Sequence, residues 1–90
     1  MKRFQLGATH ITTALLRHMQ DIGVEPMTYL VRHMSNDWGD LGRDDKKANN
    51  DAIEHGGRLL SKYKLPDGQA IYCITEADRR STTLMFTEEY

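Results

Sequence analysis

The chain has 90 residues, of which 39% are apolar and 28% charged, with a formal net charge of −1. A chain this short buries roughly 60–65% of its unfolded surface, enough for one domain spanning residues 1–90 with one modest core. The balanced charge argues against a broad basic nucleic-acid binder and against an acidic mimic of DNA, and leaves room only for local charged patches.

Cys73 is the single cysteine, so an intramolecular disulfide and an all-cysteine zinc site are both excluded. The opening residues, MKRFQLGATHITT, lack the apolar run of a secretory signal, and no stretch approaches a membrane span. The expected setting is the cytoplasm, with a reduced thiol.

In chain order, MKRFQLGA alternates Phe4 and Leu6 and reads as a short edge strand or an ordered arm, loosened by Gly7. Thr9 or Thr12 can cap a first helix, along which Ile11, Leu15, Leu16, Met19 and Ile22 recur at helical spacing. Gly23 is a stop signal. Pro26 then opens a second helix, where its missing N–H costs little. Met27, Leu30, Val31 and Met34 are its expected apolar stripe, with Tyr29 on the flank.

A third helix is expected from about Gly42 to Glu54, with acids early, as the helix dipole favours. Its apolar face is thin (Leu41, Ala48, Ala52, Ile53), which predicts a helix on the surface. Gly56 and Gly57 end it. RLLSKYKL and QAIYCIT flank a Pro-Asp-Gly turn and read as a hairpin. Leu59, Ser61, Tyr63 and Leu65 point one way, Leu60, Lys62 and Lys64 the other. Across the hairpin, Ile71, Cys73 and Thr75 share a face, opposite Ala70, Tyr72 and Ile74. TTLMFT reads as a third strand. The expected class is α+β: about three N-terminal helices, the first two packed on one face of a C-terminal three-stranded antiparallel meander.

Two polar corners carry the candidate functional residues. The first is RHMSNDWGDLGRDD, residues 32–45. Its aspartates have the wrong spacing for a calcium loop, which also needs a terminal glutamate. His33 and Asp37 are four apart, but the helix is expected to end between them. Asp40, Asp44 and Asp45 read as cap or first-turn acids, and Trp38 as a filler between helix and sheet, with Asp37 and Gly39 shaping the turn. The second corner is TEADRRSTT, where Glu76, Asp78, Arg79 and Arg80 occupy a hairpin connection. Arginines there can clamp phosphate or carboxylate, or bond the turn itself. The partner-binding candidates are therefore Asp37, Trp38, Asp40, Glu76, Asp78, Arg79 and Arg80. No catalytic motif, metal site or cofactor is expected. Cys73, in mid-strand, is expected to be a buried small hydrophobe.

RHMSNDWGDL, GGRLLSKYKLPDG and ITEADRRSTTLMFTEEY together resemble a widespread family of small bacterial proteins labelled "plasmid-related protein", some of them labelled a type I restriction subunit. The resemblance runs from the first helix to Tyr90, and the DWGDL and ITEADR blocks are its more specific parts. It implies genomic company with plasmids and integrated elements, and brings no catalytic residues. At the first helix this chain has THITTALL where related chains often begin Thr-Pro-Gly-Ala.

Two classes of function follow. One is a non-enzymatic binding protein of a mobile element that engages a host protein or nucleoprotein complex, in its sharpest form an anti-CRISPR or anti-restriction inhibitor. The other is a nucleic-acid-associated accessory in plasmid maintenance, holding phosphates with Arg58, Lys62, Lys64, Arg79 and Arg80. A weaker third is a small hydrolase or toxin on Asp37, Asp40 and Glu76, which requires shifted carboxylates in a shared pocket. A homodimer through an open meander edge is a further expectation.

Overall fold

The computed structural model of the chain describes residues 4–90. Its elements are β1 (Ala8–Ile11), α1 (Thr13–Ile22), α2 (Pro26–Met34), α3 (Arg43–His55), β2 (Leu59–Lys64), β3 (Ala70–Thr75), β4 (Ser81–Phe86) and a final 3-10 turn (Thr87–Glu89). The class is α+β, as the sequence suggests, but the sheet is larger than expected. It has four strands in the order β1-β4-β3-β2, with β1 parallel to β4 and the other pairs antiparallel.

The extra strand overlaps the segment expected to be an edge strand only at Ala8. Of that segment, residues 1–3 lie outside the described residues and 4–7 form no regular element. Ile11, expected on the first helix, instead belongs to β1 opposite Leu84. Thr12 is the capping residue: its hydroxyl accepts from the Leu15 amide at 3.4 Å. Gly23 closes α1 in the left-handed conformation, and Val24 completes the stop by donating to Met19 O at 2.9 Å.

Side chains alternate across the sheet. Leu59, Ser61 and Tyr63 share the inner face with Ile71, Cys73, Thr75, Thr82 and Leu84. On it α1 contributes Leu15 and Met19, and α2 contributes Tyr29 and Leu30. A second cluster joins Trp38 to Ala52 of α3 and Leu59, with Phe4, Leu41 and Ile53 at its margin. Each fully buried large apolar side chain here stabilises the fold by roughly 1.5–3 kcal/mol.

Both edges of the meander are covered by the chain itself. β1 occupies the edge of β4. Along β2, the Lys62 amide donates to Trp38 O at 3.1 Å, and Lys62 O accepts from the Asp40 amide at 2.7 Å. Next to them Asn49 of α3 imitates a strand, donating to Leu60 O at 2.6 Å and accepting from the Leu60 amide at 3.0 Å. The meander edge on which a homodimer was expected is therefore not open.

Helix α2 is rotated from its expected setting. Of the stripe Met27, Leu30, Val31 and Met34, only Leu30 is buried; the residues turned inward are Tyr29, Leu30 and His33. Periodicity treats methionine as core and histidine as surface, and in this helix the assignment is reversed.

Candidate interaction surfaces

The first corner is built from bonds within the chain. Asn36 takes a positive φ of 61°. Asp37 then accepts from Arg32 Nε at 2.7 Å and from the Gly39 amide at 3.1 Å, while Tyr63 donates its hydroxyl to Asp37 O at 2.6 Å. The Arg32 guanidinium also lies over the Tyr63 ring, 4.4 Å from its centroid. The hydrogen bond from Arg32 is the main reason the Asp37 carboxyl sits below the usual carboxylate range. Gly39 has no substitute: its φ is 73°, and a Cβ there would stand 2.0 Å from Lys62 O.

Trp38 is 4% exposed. It lies between helix and sheet, as expected, and donates its indole N–H to Asn50 Oδ1 at 3.2 Å. Asp40 is exposed at the rim.

Arg79 dominates the second corner. It adopts a φ of 61° and donates to four carbonyls: Gly57 O at 2.6 Å, Ala52 O at 3.0 Å, Glu76 O at 3.1 Å and Ala77 O at 3.2 Å. Ala52 O lies at the carboxyl end of α3, where a cation is favoured. Arg79 thus ties the end of α3 to the hairpin through both of its terminal nitrogens. Glu76 pairs with Arg58 at 3.4 Å, and Asp78 accepts from the Arg80 amide at 2.9 Å. The Arg80 side chain is 87% exposed.

The two corners are separate. Asp40 sits beside Lys62, whereas Glu76 follows Thr75, the partner of Leu59. From Lys62 back to Arg58, opposite Glu76, is four strand positions, about 13 Å. Asp37, Asp40 and Glu76 therefore do not form one acid–base site. Among the described residues, no group of three or more His, Cys, Asp or Glu is placed to hold a metal.

A buried polar seam, absent from the sequence reading, joins α2 to the sheet. His33 is fully buried, with Nδ1 2.5 Å from Ser61 Oγ and Nε2 2.9 Å from Thr75 Oγ1. Thr75 Oγ1 is 2.6 Å from Thr82 Oγ1, which bonds Leu6 O at 2.8 Å. The last acceptor assigns every proton. A carbonyl cannot donate, so Thr82 gives it its only hydroxyl proton and must accept from Thr75. Thr75 then accepts from His33 Nε2–H, and Ser61 donates to the bare Nδ1.

Phe4 and Trp38 meet the imidazole edge-on, at centroid distances of 5.3 and 5.6 Å. Burial lowers the His33 pKa to about 4, so the ring is neutral near pH 7. Ser61 and His33 resemble a nucleophile and base only in composition, since neither has any solvent exposure. Cys73 is equally buried, and desolvation raises its thiol to about 12, far from a reactive thiolate. The sequence held one clue to the seam. Ser61 and Thr75 are polar positions on inward strand faces, and such positions need a polar partner from the covering helix.

Among the described residues, two surfaces stand out as candidates for partners. On α2, Met27, Val31 and Met34 recur at i, i+4 and i+7 and are 62%, 48% and 44% exposed. A groove of about 370 Å³ lies between the end of α1 and the start of α2, lined by Leu16, Met19, Gln20, Val24, Glu25 and Pro26. The second is the outer face of the sheet, where Leu60, Lys62, Tyr72, Thr83 and Met85 are half-buried around a buried Ile74.

No described helix is long and apolar enough to cross a membrane. Comparison with protein-family models gave no match, and neither the curated proteins nor the solved structures contain one that is significant.

Proposed function

We propose that this chain is a non-enzymatic binding protein that engages a protein partner through the outer side of α2. The observation that carries this reading is the row Met27, Val31 and Met34, three large apolar side chains held in water on one helix. A folded core gains nothing from them there. A helix presenting anchors at i, i+4 and i+7 suits docking into an apolar groove, and methionine adapts well to such contacts. The buried Ser61–His33 pair and the separation of the acidic residues also favour binding over catalysis.

The resemblance to mobile-element proteins supplies the biological setting of the proposal: inhibition of a host restriction or CRISPR complex in the cytoplasm. At the two corners Asp40, Asp78 and Arg80 are exposed, while Trp38 and Arg79 support the fold.

The test is phage plating on a host with active restriction or CRISPR immunity. It compares the wild-type chain with the variant Met27→Ser/Val31→Ser/Met34→Ser. At least a tenfold rise in plating with wild type, lost in the equally folded variant, is expected. No rise with wild type would remove the inhibitor reading, and an equal rise with the variant would remove α2 as the surface.

A further inference from the structure

The helices pack on the inner face of the sheet, and their buried residues cluster with inner-face side chains. The outer face is partly covered: Ile74 is buried, Leu60, Lys62 and Tyr72 are half-buried, and the final 3-10 turn packs against β3. Its register brings together groups that are scattered in the sequence. Lys62 stands opposite Tyr72, and Tyr72 opposite Met85; one step along, Lys64 stands opposite Ala70. Tyr90 lies edge-to-face with Tyr72 at a centroid distance of 5.7 Å. Arg58 lies over the Tyr90 ring at 5.5 Å and donates to its hydroxyl at 2.8 Å.

Two rings are thus flanked by three cations on a half-open sheet surface. Lys62 and Lys64 make no ion pair with another described residue, and the pair between Arg58 and Glu76 is half-exposed at both ends. Tyr90 itself is 69% exposed. The formal net charge of −1 averages these cations with acids that include Glu76, paired with Arg58, and Glu88 and Glu89, which precede Tyr90.

We propose that this outer sheet face binds single-stranded nucleic acid, with Tyr72 and Tyr90 stacking on bases and Arg58, Lys62 and Lys64 contacting phosphates. Stacking on aromatic rings needs unpaired bases and tolerates any sequence, so a single strand fits where a duplex does not. The site faces away from α2. A chain with both surfaces can therefore hold the protein and the nucleic acid of one nucleoprotein complex, and neither surface depends on the other.

The experiment is fluorescence anisotropy of a labelled 12-nucleotide oligo(dT) titrated with the full chain at low and higher salt. With three phosphate contacts on a single strand, affinity should fall roughly 20-fold between 50 and 200 mM salt. Lys62→Glu/Lys64→Glu should weaken binding at least tenfold at low salt while α2-dependent activity persists. Tyr72→Ala should weaken it about tenfold and Tyr72→Phe hardly at all, since the ring carries the stacking. Absence of binding at 50 mM salt would overturn the proposal. So would preference for a duplex of equal length, or unchanged binding by the double-glutamate variant. If that variant instead loses a protein partner, the face serves protein and the proposal fails.

Discussion

Helix α2 turns Tyr29, Leu30 and His33 towards the sheet, and Met27, Val31 and Met34 towards water. On the inner side a histidine is buried without charge, and four side-chain hydrogen bonds running from Ser61 to Leu6 O satisfy it and its hydroxyl partners. On the outer side apolar surface is left uncovered. The comparison separates two duties of one helix. The inner side specifies how α2 sits on the sheet, because only one rotation brings the imidazole between Ser61 and Thr75. The outer side has no such constraint and is available for recognition.

The sharpest way to break this comparison is His33→Ala. It removes a packed ring and strands Ser61 and Thr75 without their partner, so a loss of about 4 kcal/mol in urea denaturation is expected. A loss under ~1 kcal/mol would mean that the seam does not hold the helix. Arg79→Ala comes next, at about 3 kcal/mol, because four carbonyls lose a charged donor. Arg79→Lys should recover little of this, since an ammonium cannot span the same fork of acceptors.

Between pH 7 and 4.5, acid should act on the inner side through His33. The folded-state pKa of His33, about 4, lies below its ordinary 6.5, so between those values the unfolded chain binds the extra proton. Stability therefore falls as the pH drops from 7 towards 4, and the loss attributable to His33 levels off below that. Between pH 7 and 4.5 its share is about 2 kcal/mol. Denaturation at both pH values, with His33→Gln as the reference, isolates it: the wild type should lose that much more than the variant.

The smallest effect belongs to the outer side. Met27→Ser, Val31→Ser and Met34→Ser should each move the folding free energy by no more than ~0.5 kcal/mol.

Most of the local structure was legible in the chain. Thr12, Gly23, Pro26 and the Pro-Asp-Gly turn act on their own neighbours, so the helix ends and the β2–β3 hairpin could be placed without tertiary information. The rest depends on partners distant in sequence. Ala8–Ile11 has no strong alternation and becomes a strand only because Ser81–Leu84 offers it a parallel edge. The rotation of α2 depends on Ser61 and Thr75, which lie 28 and 42 residues beyond His33. Asn49 reads as one more polar residue on a polar helix until the β2 edge is placed against it.

Of the two uses open to an arginine at the second corner, clamping a ligand or bonding the turn itself, the structure shows the second. The Arg79 guanidinium does clamp oxygen atoms, and they are carbonyls of its own chain. The apolar stripe of α2 was visible from its spacing, although its direction was not.

The most direct test of the division within α2 is affinity capture from nuclease-treated host lysate. Tagged wild type and Met27→Ser/Val31→Ser/Met34→Ser would be run in parallel at matched folded concentration. A discrete partner retained by wild type and lost by the triple variant is expected. The same partner held equally by both proteins, or none held by the wild type, would contradict this division.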